Sequence, residues 1–127
     1  MRVLIDSHIY VWWLTDEESL SQKARKVISD ARATVHVSAA SIWELAIQIQ
    51  LGRLKVNAVD LVEEIGASGF VELPIASAHA QRAATLPMHH KDPFDRMLVA
   101  QAEQEQLVLI TEDEALAAYG VPVLLGR

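Results

Sequence analysis

Short runs of consecutive apolar, largely β-branched residues alternate along the chain with longer stretches in which apolar positions recur every three to four residues. The first pattern is that of a strand covered on both faces, and the second that of a helix packed along one side. The strand pattern falls at Val3 to Asp6, Val35 to Ser38, Phe70 to Leu73, Leu107 to Thr111 and Val121 to Leu124. The helical pattern falls at Ile9 to Leu14, Ser21 to Ala31, Ser41 to Leu51, Ala58 to Ala67, Ala76 to Leu86 and Pro93 to Gln106. Strands separated by helices and joined by right-handed crossovers predict an α/β fold, a three-layer α/β/α sandwich with a mostly parallel central sheet of about five strands. The chain shows no repeat, low-complexity tract or long linker, so residues 1–127 are expected to form a single domain.

In a doubly wound sheet, ligands bind beyond the carboxyl ends of the strands, so the residues at those ends matter most. Four acids fall there. Asp6 closes the first strand, Glu44 is expected in the first turn of the helix after the second, Asp95 opens the helix before the fourth, and Asp113 follows the fourth. Each also has a purely structural reading. Ser41 to Glu44 has capping-box spacing; Asp92 and Pro93 make an N-cap and first helical residue with Asp95 in a favourable first turn; Asp113 suits a turn and Asp6 a helix cap. As a set the acids are harder to explain that way, because carboxylates gathered in one cleft repel and raise one another's pKa unless a cation lies among them.

Composition narrows the choice of cation. There is no cysteine, which excludes disulfides, thiolate zinc sites and a cysteine nucleophile together. Oxygen ligands favour Mg²⁺ or Mn²⁺, whose usual work is phosphoryl chemistry. No glycine-rich phosphate loop is present, which argues against a nucleotide-triphosphate enzyme. The net charge of −6 counts against nucleic acid as a partner, although a local basic rim and cations held by the acids are both compatible with it. No apolar run approaches the roughly 20 residues that span a bilayer, and the amino terminus has no basic stretch with a cleavage site, so a soluble cytoplasmic protein with no membrane contact is expected.

At the acidic positions the sequence resembles the PIN domain and, within it, the VapC-like toxins. The resemblance rests on Val3-Leu4-Ile5-Asp6-Ser7-His8-Ile9 with Trp12 and Trp13, on Val37-Ser38-Ala39-Ala40-Ser41-Ile42-Trp43-Glu44, on His89 through Ala102, and on Leu109-Ile110-Thr111-Glu112-Asp113. It runs through nearly the whole chain in the family's order. It implies an endoribonuclease dependent on Mg²⁺ or Mn²⁺, with Asp6, Glu44 and Asp95 as core acids, Asp113 as a more variable fourth, and Asp6 and Asp95 as direct metal ligands. It further implies an RNA substrate, a homodimer and a cognate antitoxin protein that covers the cleft. Ser7 stands where threonine is frequent in the family, which keeps the hydroxyl. Asp92 competes with Asp95 for the metal position; the apolar series Met97, Leu98, Val99, Ala102 continues from Asp95, which leaves Asp92 as the cap.

His90 and Lys91, with Arg96 nearby, suggest a basic lip that touches RNA phosphates. Trp12, Trp13 and Trp43 have helical spacing and read as core or protein interface, and Lys23, Arg25 and Lys26 as a solvated helix face. A phosphatase of the haloacid-dehalogenase kind would need a second acid where Asp6-Ser7-His8 has none. A phospho-accepting receiver domain would need an acid after the third strand, where Leu73-Pro74-Ile75 offers none. A housekeeping PIN nuclease without an antitoxin and a catalytically inactive PIN-like binding module stay open as alternatives.

Overall fold

The computed structural model describes residues 1–127, the side chain of Val59 excepted. Five strands form one sheet: β1 (Arg2–Ile5), β2 (Thr34–Ser38), β3 (Val71–Leu73), β4 (Val108–Thr111) and β5 (Val123–Leu125). They lie in the order β3-β2-β1-β4-β5 and every pairing is parallel, so the sheet is more uniform than the mostly parallel one the sequence predicts. The connecting helices are α1 (Ser7–Thr15), α2 (Gln22–Ser29), α3 (Ala39–Gln50), α4 (Ala58–Ala67), α5 (Ser77–Thr85) and α6 (Pro93–Glu105), with a 3₁₀ segment at Glu114–Tyr119.

Successive strand residues face opposite ways, so an unbroken apolar run is what two covered faces require. Val3 and Ile5 face one layer, where they join Ile9 and Tyr10 of α1, Ala24 and Ile28 of α2, Leu45 of α3, and Leu61 and Ile65 of α4. Leu4 and Leu109 face the other, against Ala83 of α5, Leu98, Val99 and Ala102 of α6, and Leu116 of the 3₁₀ segment. Each large aliphatic side chain so enclosed contributes about 1.5–3 kcal/mol relative to exposure. This two-sided core is the expected three-layer α/β/α sandwich.

The chain winds outward from central β1 through β2 to β3, then returns to place β4 on the other side of β1. The reversal falls between β1 and β4, and the crevice beyond their carboxyl ends is where an open sheet of this kind receives a ligand. There Ile5 pairs with Ile110, and the Asp6 N–H donates to the Ile110 carbonyl at 3.0 Å. Asp6 and Thr111 therefore leave the sheet side by side.

Helix starts differ from the apolar pattern for a local reason. Asp6 is not the end of a strand but the N-cap of α1, its carboxylate accepting from the Ile9 N–H at 2.9 Å, so the helix begins at Ser7 rather than Ile9. The Ser38 hydroxyl likewise accepts from the Ala40 N–H, so α3 begins at Ala39. Ser41 is consequently interior to the helix and buried, the capping box with Glu44 does not form, and Glu44 stands in the second turn of α3 rather than the first. The 3₁₀ segment has no counterpart in the sequence reading. It is only six residues long, is capped by Asp113, and ends at Gly120 with φ 85°.

Candidate active site

A cavity of about 170 Å³ opens at the β1–β4 crevice. Asp6, Glu44, Asp92, Asp95, Glu112 and Asp113 line it together with Ser7, His8 and Thr111, and no lysine or arginine is among its described lining residues. The four acids singled out in the sequence thus share one small space, brought there by α1, α3, α6 and the turn after β4.

The carboxylates differ in how they are held. Asp6 is buried, with Oδ1 taking the Ile9 N–H and Oδ2 taking the Thr111 hydroxyl at 2.5 Å. Burial pushes its carboxyl up to about 6, although both hydrogen bonds act in the opposite direction. Asp95 is pushed up to about 7, first by burial and then by the neighbouring Asp92, with Asp6 and Glu44 adding to the repulsion and His90 opposing it. Glu44 accepts the Ser7 hydroxyl at 2.8 Å, which gives a purpose to the hydroxyl after the first aspartate. Asp113 caps the 3₁₀ segment through the Ala115 N–H, and its own N–H donates to Thr111 Oγ1. A hydrogen-bonded chain therefore runs from Asp113 through Thr111 to Asp6 and ties the ends of β4 and β1 together.

His90 enters this cluster rather than lying on a lip outside it. The Asp92 N–H donates to His90 Nδ1 at 3.1 Å, so that nitrogen offers its lone pair and the ring proton sits on Nε2. Nε2 lies 3.0 Å from Asp113 Oδ2 and 3.6 Å from Asp95 Oδ2. Although its position is within reach of a cation shared with Asp95 and Asp113, in this tautomer the imidazole is a donor that spans two acids, not a ligand. Across the mouth, His8 Nδ1 pairs with Glu112 Oε1 at 2.5 Å.

Arg96 corrects the sequence reading. It was expected beside an RNA-contacting lip, but it is buried, and its guanidinium donates to the carbonyls of Ala83 at 2.8 Å, Leu86 at 3.0 Å, Pro87 at 3.0 Å and His90 at 3.3 Å. It anchors the loop between α5 and α6 from inside. Lys91 is exposed. Asp92 is the N-cap of α6, accepting from the Phe94 and Asp95 N–H groups, as the sequence indicates. Trp13 packs on Phe70 with ring centroids 5.9 Å apart, while Trp43 is 62% exposed and meets Phe94 edge-on.

Thr111 and Glu112 lie in a segment that carries the family resemblance, but the sequence assigns neither a role. The available signal was parallel register: if Ile5 pairs with Ile110, the next residue of β4 must stand beside Asp6.

Chemically, the arrangement concentrates negative charge where little offsets it. Six carboxylates line this small space and two of them are driven toward their protonated forms, a surplus of hard oxygens of the kind a divalent cation relieves; among the described residues, His90, Asp95 and Asp113 are the group whose ligand atoms lie within 4.8 Å of one another.

Comparison with known proteins agrees with the fold. The PIN domain model matches residues 3–122. Ribonuclease VapC22 of Mycobacterium tuberculosis is 29% identical over 123 residues, which covers 94% of this chain and 93% of that protein. Among solved structures, VapBC2 from Rickettsia felis, crystallised with a DNA fragment from its promoter, matches with a TM-score of 0.74 at 12% identity over 98% of both chains. A toxin-antitoxin complex from Klebsiella pneumoniae matches with a TM-score of 0.69 at 18% identity, again over 98% of both.

Proposed function

The chain belongs to the PIN-domain family, and from that premise we propose that it is a Mg²⁺- or Mn²⁺-dependent endoribonuclease, the toxin of a toxin-antitoxin pair. The observation that carries this reading is the convergence of Asp6, Glu44, Asp95 and Asp113 on one cavity without a lysine or arginine among its described lining residues. The likeness to ribonuclease VapC22 supports RNA as the substrate, and the likeness in fold to the toxin-antitoxin complex from Klebsiella pneumoniae supports an antitoxin as the partner.

In this reading Asp6 and Asp95 hold the cation directly, with Glu44 and Asp113 completing the acidic set. A bound divalent cation supplies charge neutralisation at the scissile phosphate and makes water acidic enough to attack it. The protein's own groups fix the acids in advance. Thr111 and the Ile9 N–H aim Asp6, Ser7 aims Glu44, and His90 Nε2–H holds Asp113 toward Asp95. Such fixed donors reduce the reorganisation needed when charge develops. The net charge of −6 ceases to be an objection, because 6 of the 17 acidic residues line this one cavity and face the cation rather than the RNA. Exposed Lys91 remains the phosphate contact at its edge, and exposed Trp43 supports a covered surface of the kind a homodimer or an antitoxin provides.

The test is cleavage of RNA by the purified chain with Mg²⁺ or Mn²⁺, with and without EDTA. Cleavage should stop in chelator, and Asp6→Asn and Asp95→Asn should each reduce it by a factor of about a hundred or more while the circular dichroism spectrum stays unchanged. Full cleavage in EDTA would overturn the metal mechanism.

A further inference from the structure

Ser7, His8 and Glu44 line the acid cavity and also a second pocket of about 410 Å³ beside it. The rest of its lining is different in kind. Val11, Trp12, Leu45 and Leu54 are apolar, and Gln48 and Arg53 add polar groups. The Gln48 amide makes no hydrogen bond among the described residues, and Arg53 makes no ion pair among them, whereas Arg25, Arg32 and Arg82 are all paired with acids.

We propose that this pocket is a nucleobase subsite that reads a purine next to the scissile phosphate. The inference rests on the nuclease reading above and adds a source of sequence preference to it. An RNA strand with one phosphate in the acid cavity reaches the second pocket with a neighbouring nucleotide by passing Ser7, His8 and Glu44, the three residues common to both spaces. A base has an apolar face and a polar edge, and the pocket is lined by both kinds of group: an aromatic ring with aliphatic side chains, and donors and an acceptor that no described residue engages. The edge chemistry selects the class of base. The amide of Gln48 matches the N6 and N7 of adenine and the guanidinium of Arg53 the O6 and N7 of guanine, and both are purine edges. The positive charge of Arg53 also favours a polyanionic strand.

The experiment uses RNA carrying a randomised single-stranded segment, cut by the full chain with Mn²⁺, with the cleaved ends sequenced. Wild type should prefer a purine at one position adjoining the cut. Gln48→Ala and Arg53→Ala, both at solvent-accessible positions, should each weaken that preference about tenfold at that position alone. Trp12→Phe should keep the preference and Trp12→Leu should lose it, with circular dichroism checking that each variant is folded. If wild type cuts RNA and all four variants cut with the same preference, the subsite is overturned while the nuclease reading stands. If the variants alter only inhibition by the antitoxin, the pocket is a protein-docking site and the base assignment fails. If wild type does not cut RNA under any of these conditions, the nuclease reading fails and takes the subsite with it.

Discussion

Asp95 and Arg96 are consecutive residues in the first turn of α6, and they meet opposite surroundings. Arg96 turns toward α5, where the carbonyls of Ala83, Leu86, Pro87 and His90 accept from its guanidinium at the carboxyl end of that helix, the end that favours a cation. Asp95 turns toward the sheet edge, where burial first and then Asp92, Asp6 and Glu44 raise its pKa and His90 acts against them. The arginine's charge is complete within the chain. The aspartate stands among charges of its own sign, which His90 offsets only in part. That contrast separates a structural polar site from a functional one more sharply than burial does: Asp95 is half-buried, but Asp6, which stands among the same acids, is as enclosed as Arg96.

The largest effect should come from opening the complete site. Arg96→Leu leaves the carbonyls it satisfied without a donor, and by analogy with other broken buried charge interactions it should cost about 3–5 kcal/mol in urea denaturation at pH 7. Asp6→Asn should act in the opposite direction in metal-free protein, because it removes one repelling charge and its amide oxygen can still take the Ile9 N–H. A loss of stability in both variants would erase the distinction and make the acid cleft an ordinary set of caps.

The second effect follows from titration. Asp6 has a folded-state pKa of about 6, above its ordinary 3.8. For an acid raised in this way the folded state holds the proton more tightly than the unfolded chain. Its contribution to stability is therefore complete below about pH 4 and is lost as pH rises through 6, by about 3 kcal/mol. Metal-free wild type should lose this much relative to Asp6→Asn between pH 4 and 7. At pH 7, Mn²⁺ at about a hundred times its dissociation constant should restore ~2.7 kcal/mol, and Asp6→Asn should lose most of that response. Superimposed melts with and without Mn²⁺ or Mg²⁺ would show that the cleft does not take a cation.

The two regions were not equally legible in the sequence. The strand-end acids could be read because topology alone carries them to one edge: whatever the helices do, Asp6 and Asp113 follow neighbouring parallel strands. Arg96 could not. Its neighbours in sequence, Asp95 and Met97, give no sign that four carbonyls from the end of α5 and the loop after it will converge on it, and beside His90 and Lys91 it reads as part of a basic surface. Carbonyl groups leave no mark in a sequence. The same blindness hid the early start of α3, since Ser38 reads equally well as the last residue of a strand, which it is, and as the cap of the next helix, which it also is. It also left His90 outside the cluster, because its placement depends on the loop that Arg96 anchors.

The smallest and most discriminating change is Asp92→Asn, at the residue that belongs to both regions at once. Asp92 caps α6 through the Phe94 and Asp95 N–H groups, a structural task that asparagine performs about as well, so stability should change by less than about 1 kcal/mol. Its N–H, which fixes the tautomer of His90, belongs to the backbone and survives the substitution. What disappears is a negative charge, the second cause of the raised Asp95 pKa after burial. Asp95 in the variant should therefore titrate lower than about 7, followed by the carboxyl carbon-13 shift, while RNA cleavage persists. If instead Asp92→Asn abolishes cleavage and Asp95→Asn does not, the metal ligand is Asp92, and the cap and the catalytic acid have been assigned to each other's positions.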